Sequence, residues 1–169
     1  MAVRPIVAWP DPVLSTPASP VIAVPDVADL AQDMLDTMYG APGRGLAAPQ
    51  VGVLQRVFVM DTTWKDGTRA PLVCINPEIK DRSDRHVSGP EGCLSIPGVS
   101  LTVERSEWVD LEWSDLQGVR HCRRFDGFDA ICIQHEYDHL DGIVTFDRVS
   151  AVARAEAEKT YNSYVETPR

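Results

Sequence analysis

The apolar residues Val27, Leu30, Met34, Leu35 and Met38 recur at three- and four-residue steps. That period predicts an amphipathic helix over about residues 26–39, with Asp26 as its N-cap and Gly40 as its stop. The methionines on this stripe read as core side chains. Ahead of it, residues 1–25 carry six prolines and predict irregular, extended backbone laid over the domain. Short apolar runs at 57–60 and 72–75 predict strands, separated by the turn-forming Lys65-Asp66-Gly67. Val109, Leu111 and Trp113 alternate with Asp110, Glu112 and Ser114, the pattern of a strand with one wet face. Asp115-Leu116-Gln117-Gly118 predicts a hairpin turn into a strand over about 119–124. Helical spacing returns at about 127–140, where Phe128, Ile131, Cys132, His135 and His139 share a stripe. A last helix is expected at about 150–165, with Val152, Ala155 and Tyr161 on one side. Strands gathered mid-chain with helices before and after predict an α+β fold, not alternating βαβ units.

At 169 residues the chain suits one domain, residues 1–169, and a domain of this size buries about 70% of its unfolded surface. No repeat, low-complexity stretch or linker divides it. A formal net charge of -9 argues against a nucleic-acid surface, because phosphate contacts need clustered Lys and Arg, so DNA is not an expected partner. Residues 1–10 lack the apolar core of a signal peptide, and no stretch approaches the roughly 20 apolar residues that cross a bilayer. The expected address is the cytoplasm, with no membrane partner, and the expected state is a monomer. In that setting Cys74, Cys93, Cys122 and Cys132 are expected to be reduced thiols. Cys74 lies in an apolar run and reads as core; Cys122, beside charged residues, carries no signal. Cys93 differs because of its neighbours.

His135-Glu136-Tyr137-Asp138-His139 reads H-E-x-x-H inside the second helical stretch. Residues four apart stack on one helix face with Cβ atoms about 5–6 Å apart. Both imidazoles can therefore reach one divalent metal, which leaves the intervening glutamate free for proton transfer. A catalytic metal needs a third ligand and an open position for water. The peptidase pattern H-E-x-x-H-x-x-G-x-x-H is followed through Gly142, but Thr145 stands where its last histidine belongs. A later glutamate, Glu156 or Glu158, and the cysteine Cys93 are the remaining candidates. His86 and His121 sit in polar surroundings and read as surface histidines.

Two further segments stand beside this motif: Gly43-Arg44-Gly45-Leu46-Ala47-Ala48-Pro49-Gln50 and Glu91-Gly92-Cys93-Leu94-Ser95. Together with Gln134-His135-Glu136-Tyr137-Asp138-His139-Leu140 they resemble the three motifs of the peptide deformylase family. The resemblance runs from Pro10-Asp11-Pro12-Val13-Leu14 to the helix holding His139. It implies mostly antiparallel β-sheets packed around a central helix bearing H-E-x-x-H, with an N-terminal and a C-terminal helix. It implies a metal-dependent hydrolase that removes the formyl group from N-formylmethionyl nascent peptides and releases formate. The implied metal ligands are Cys93, His135 and His139. A thiolate with two imidazoles suits Fe²⁺ or Zn²⁺, and the resemblance favours Fe²⁺. Glu136 is then the group that takes a proton from water and returns it to the departing amine. The Gln50 side-chain amide and the backbone N–H of Leu94 would stabilise the oxyanion. In the family a bound peptide adds to the first loop as an extra strand. Gly43, Gly45 and Gly92 would let backbone approach it closely or take up φ > 0. Arg44, Gly45 and Gly92 are expected substrate-binding positions, while Phe128, Ile131 and Cys132 wall an apolar slot for methionine.

The chain also departs from that pattern. Arg44 stands where the family usually has a small aliphatic residue, and a long cation there could alter strand docking or reach for a peptide carboxylate. Ser100 occupies a position where some members place an arginine. Arg105 matches a recurring family arginine, with Glu91 its expected ion-pair partner and Asp138 a supporting acceptor facing away from the metal. The tail after Ser150 mixes Arg154 and Lys159 with Glu156, Glu158 and Glu166, which gives no electrostatic support for ribosome docking. Two rivals follow: a zinc peptidase using Glu156 or Glu158, and a non-catalytic paralogue that keeps the metal for structure or peptide binding, for which Arg44 is the sign.

Overall fold

The structure, a computed structural model, describes residues 2–168. In chain order the main elements are α1 (Ala28–Gly40), β1 (Gly45–Ala47), β2 (Val57–Met60), β3 (Leu72–Arg82), β4 (His86–Cys93), β5 (Ile96–Ser106), β6 (Trp108–Ser114), β7 (Arg120–Asp126), α2 (Gly127–Leu140) and α3 (Ala151–Glu166). One five-stranded sheet has the order β1-β2-β3-β6-β7, and β4 with β5 forms a separate two-stranded sheet. All these pairings are antiparallel. The fold is α+β, as the grouping of strands and helices predicted.

The hydrophobic pattern explains why the layers sit as they do. Val57 and Val59 of β2 and Ile75 of β3 are buried with Leu30, Met34 and Met38 of α1, whereas Phe58, Met60 and Cys74 cluster with Ala130 and Ile133 of α2. Because α1 and α2 cover opposite faces, β2 is buried at every position and reads as an unbroken apolar run. Each such side chain removed from water contributes about 1.5–3 kcal/mol. Farther along the sheet only one face is covered. There Val109, Leu111 and Trp113 of β6 are buried while Asp110, Glu112 and Ser114 stay half-exposed.

The hairpin of β4 and β5 was not anticipated. Its strands carry Ser88, Gly89, Pro90 and Gly92 on one side and Pro97, Gly98 and Ser100 on the other, which break the alternation a sequence reader looks for. It is held instead through Ile96, Leu101 and Val103, which pack with Leu14, Phe146 and, from α3, Ala157 and Tyr161. Asp26 is corrected as a cap: a 3-10 turn at Val24–Val27 precedes α1, and Val27 stands at the N-cap with no side-chain hydrogen bond. Gly40 is the last helical residue, not the stop. Ser150 does cap α3, accepting from the Ala153 N–H at 3.2 Å.

α2 lies between the large sheet and the hairpin, and polar groups fix it there. The Gln134 side chain donates to Ser106 O at 2.9 Å and accepts from Ser106 N–H at 3.0 Å, tying α2 to the end of β5. At the other end of α2, Arg56 donates to Leu140 O at 3.0 Å and pairs with Asp141 at 3.0 Å. Among the described residues no helix is long and apolar enough to cross a membrane. All four cysteines are unbonded.

Candidate metal centre and active site

Three segments converge beside α2. Cys93 comes from the end of β4, where the hairpin register shifts between Gly92 and Cys93. His135 and His139 come from successive turns of α2, with ring centroids 5.1 Å apart. One ligand atom from each of Cys93, His135 and His139 lies within 4.8 Å of the others, and Cys93 Sγ is 3.5 Å from His139 Nε2. Among the described residues this is the sole such cluster. Neither Glu156 nor Glu158 belongs to it; Glu158 accepts from Arg154 on α3 at 2.8 Å.

The donor set suits a metal, since one sulfur and two imidazole nitrogens facing one point match a catalytic site with a position to spare. His135 Nδ1 donates to Glu91 Oε1 at 2.9 Å, which turns its Nε2 lone pair toward the cluster. The sequence pairs Glu91 with Arg105 alone, and the bond to His135 is an addition of the fold. Arg105 does grip it bidentately, at 2.9 Å through both Nε and Nη2. Arg105 also reaches Asp138 at 2.6 Å, and Arg148 holds the same Asp138 at 2.9 and 2.7 Å. Two carboxylates thus meet two guanidiniums behind the histidines. Burial works against ionisation of Glu91, but Arg105 and His135 outweigh it and hold its carboxyl down at about 2. Burial pushes the His139 imidazole toward its neutral form, the form that binds a cation.

Glu136 is 4% exposed, with Oε2 buried and without a hydrogen-bond partner among the described residues. Burial first, with Glu91 adding, pushes its carboxyl up to about 7. A carboxyl that exchanges its proton near neutrality is what acid–base catalysis needs. Gln50 is 1% exposed and doubly held: Oε1 accepts from Ala47 N–H at 2.9 Å, while Nε2 donates to Ser95 Oγ at 3.1 Å and lies 3.6 Å from Cys93 Sγ. Ser95, fully buried, belongs to the second motif but was given no role from sequence.

These groups open into a cavity of about 460 Å³. Arg44, Gly45, Gln50, Gly92, Cys93, Leu94, Phe128, Ile131, Cys132, His135 and Glu136 all line it; His139 lies behind them. Sequence reasoning missed Lys65, Pro90 and the segment Ile96, Pro97, Gly98 and Val99, which line it from the unanticipated hairpin and the β2–β3 loop. The glycines divide. A Cβ on Gly45 would lie 2.7 Å from Glu136 Oε1 and 2.9 Å from Cys132 Sγ, and one on Gly43 would lie 2.7 Å from Leu94, so close approach accounts for both. Gly92 has neither reason: nothing lies within 4 Å of its would-be Cβ and its φ is not positive. His121, read as a surface residue, is half-buried, bonded to Asp115 at 2.7 Å and stacked on Trp113.

Residues 3–155 match the family model described as polypeptide deformylase. The chain is 46% identical over 170 residues to a peptide deformylase of Alkalilimnicola ehrlichii, covering 100% of this chain and 94% of that one. It is 42% identical over 155 residues to a peptide deformylase of Rhizobium meliloti, covering 91% and 89%. The crystal structure of a peptide deformylase from Legionella pneumophila superposes with a TM-score of 0.91 at 36% identity, covering 99% of this chain and 100% of that one. A family match over residues 3–155, with relatives above 40% identical across nearly the whole chain, leaves one assignment: this chain belongs to the peptide deformylase family.

Proposed function

We propose that the whole chain, residues 1–169, is one catalytic domain that hydrolyses the formyl amide of N-formylmethionyl peptides, using Cys93, His135 and His139 to hold a divalent ion. The observation that carries this reading is the convergence of Sγ and two imidazoles beside the buried Glu136 carboxyl, whose Oε2 has no hydrogen-bond partner among the described residues. The soft sulfur and two nitrogens suit Fe²⁺ and Zn²⁺ alike, and the family resemblance favours Fe²⁺. When bound, the ion supplies a Lewis acid for the formyl carbonyl and lowers the pKa of water.

The chain's own groups do the rest. Glu136 takes the proton of the attacking water at its carboxylate and delivers it to the amine nitrogen as the C–N bond breaks. The products are formate and a free N-terminal methionine. Gln50 Nε2 and the Leu94 backbone N–H donate to the oxyanion, and losing one such donor costs about 3–4 kcal/mol. Gly45, in contact with Glu136, lets the peptide backbone pass close to the reacting carbon. Gly92 lies on the opposite rim. Phe128, Ile131 and Cys132 line the slot for the methionine side chain. The reaction takes place on nascent chains in the cytoplasm, by a monomer.

Formate release from a formyl-Met peptide, measured anaerobically with metal-replete protein, tests this. Glu136→Gln should lower the rate by about 10²–10⁴-fold while retaining metal, and Cys93→Ala should lose metal. Full metal binding by Cys93→Ala together with its loss in Glu158→Ala would hand the site to a peptidase.

A further inference from the structure

Arg44 lies beside the reacting groups without a part in the chemistry just described. Its backbone is committed, since its carbonyl accepts from Asp61 N–H at 2.9 Å and faces the Cys132 thiol at 3.7 Å. Its side chain is not. The guanidinium carbon stands 5.3 Å from the centre of the Phe128 ring, and Nε is buried with no hydrogen-bond partner. No ion pair engages it among the described residues. Elsewhere Arg4, Arg56, Arg105, Arg120, Arg124 and Arg148 each have a carboxylate partner, while Arg69 and Arg123 lie over the Tyr39 and Phe125 rings, away from this cavity. Lys65 lines the same cavity, with its ammonium 5.7 Å from the Trp64 ring and no carboxylate partner among the described residues. An acidic protein has therefore left two cations unpaired at one mouth.

A half-buried guanidinium with an unsatisfied N–H is costly unless something pairs with it, and its planar fork matches a carboxylate bidentately. The Phe128 ring beside it favours the cation at this position. Arg44 is one residue from Gly45, which touches Glu136. A partner for its side chain thus belongs near the reacting formyl group but not on it. Resting on the deformylase reading, we infer that Arg44, assisted by Lys65, is a specificity-determining residue favouring peptides with a carboxylate just after the formyl-methionine. That carboxylate is either an acidic second or third side chain or the free terminus of a very short peptide.

The test compares formyl-Met-Glu-Ser amide with formyl-Met-Gln-Ser amide, formyl-Met-Ala-Glu amide with formyl-Met-Ala-Gln amide, and formyl-Met-Ala-Ser free acid with its amide. In at least one pair the carboxylate peptide should show about tenfold higher kcat/KM, and the advantage should shrink in high salt. Arg44→Met should bring that ratio to about one, and Arg44→Lys should keep part of it. Ratios taken within one variant are insensitive to how much of it folds. Equal rates within all three pairs, or a ratio unchanged in Arg44→Met, overturns the inference. Calorimetric binding of unformylated Met-Glu-Ser amide against Met-Gln-Ser amide reads the same preference without turnover. If no peptide yields formate yet the binding ratio persists, the deformylase reading fails and the role of Arg44 stands.

Discussion

Glu91 serves two neighbours with one carboxylate, orienting His135 through Oε1 and neutralising Arg105, which is 4% exposed, through both oxygens. Removing a partner that orients a ligating histidine typically costs 10–100-fold in metal affinity. Glu91→Ala should therefore hold metal about 10–100-fold more weakly in a chelator competition, with Glu91→Gln in between because its carbonyl still accepts from His135. Affinity unchanged in Glu91→Ala would show that His135 is oriented by its packing alone. Asp61 makes a different prediction. Burial pushes its carboxyl up, but the Tyr39 hydroxyl and the N–H groups of Ala70, Thr63 and Trp64 outweigh it and hold it below the usual value. A depressed carboxyl stabilises the fold above its ordinary pKa, and that contribution is lost as pH falls through the lowered value. Denaturant unfolding should show wild-type stability falling more steeply than that of Asp61→Asn from about pH 4 downward. Parallel curves would remove Asp61 from the acid response.

Single residues with distinctive chemistry were legible in the sequence, and their supports were not. Cys93, His135, Glu136 and Gln50 stand out by type and spacing, so their convergence could be anticipated. Gln134 stood in the third motif, yet its bond to both backbone groups of Ser106 links residues 28 apart and leaves no local trace. Lys65 reads as turn chemistry, and only the packing of Trp64, whose Nε1 donates to Gly43 O at 2.9 Å, brings it to the cavity.

Among the elements, α3 bears on the site although it contributes no ligand. Tyr164 lies over Gly98 on β5, so a Cβ there would meet the ring at 2.1 Å, and Gly98 has φ of +79°, which disfavours any side chain. Pro97, Gly98 and Val99 form one rim of the cavity, so α3 backs that rim. Gly98→Ala should lower stability by about 1–3 kcal/mol and raise KM more than it lowers kcat. Adding Tyr164→Ala should recover the part due to the clash, leaving the part due to φ. No recovery at all in the double variant would mean that the helix does not press on this strand. Elements were legible where a simple pattern held: α1 and β6 follow their periods and β2 its unbroken apolar run, whereas α2 is buried on several faces and Phe128 of its expected stripe is exposed. β4 and β5 escaped because glycine, proline and serine interrupt them, and their pairing with each other, not their composition, makes them strands.

For the molecule as a whole, the layers followed from the order of elements, whereas the separation into two sheets did not, because sheet membership depends on non-local pairing. That separation has a mechanical consequence. The sulfur of the cluster rides on the small sheet while both imidazoles ride on α2, packed against the large one. Under the proposed reading, an ion held by all three would stitch the two sheets together, and an ion that binds only the folded chain raises stability by mass action. Stripping it should loosen 86–106 before the rest. Amide hydrogen exchange should then speed up in that hairpin, while 57–60 and 108–114 keep their protection. Uniform acceleration across both sheets would show that the stitch carries no local tension.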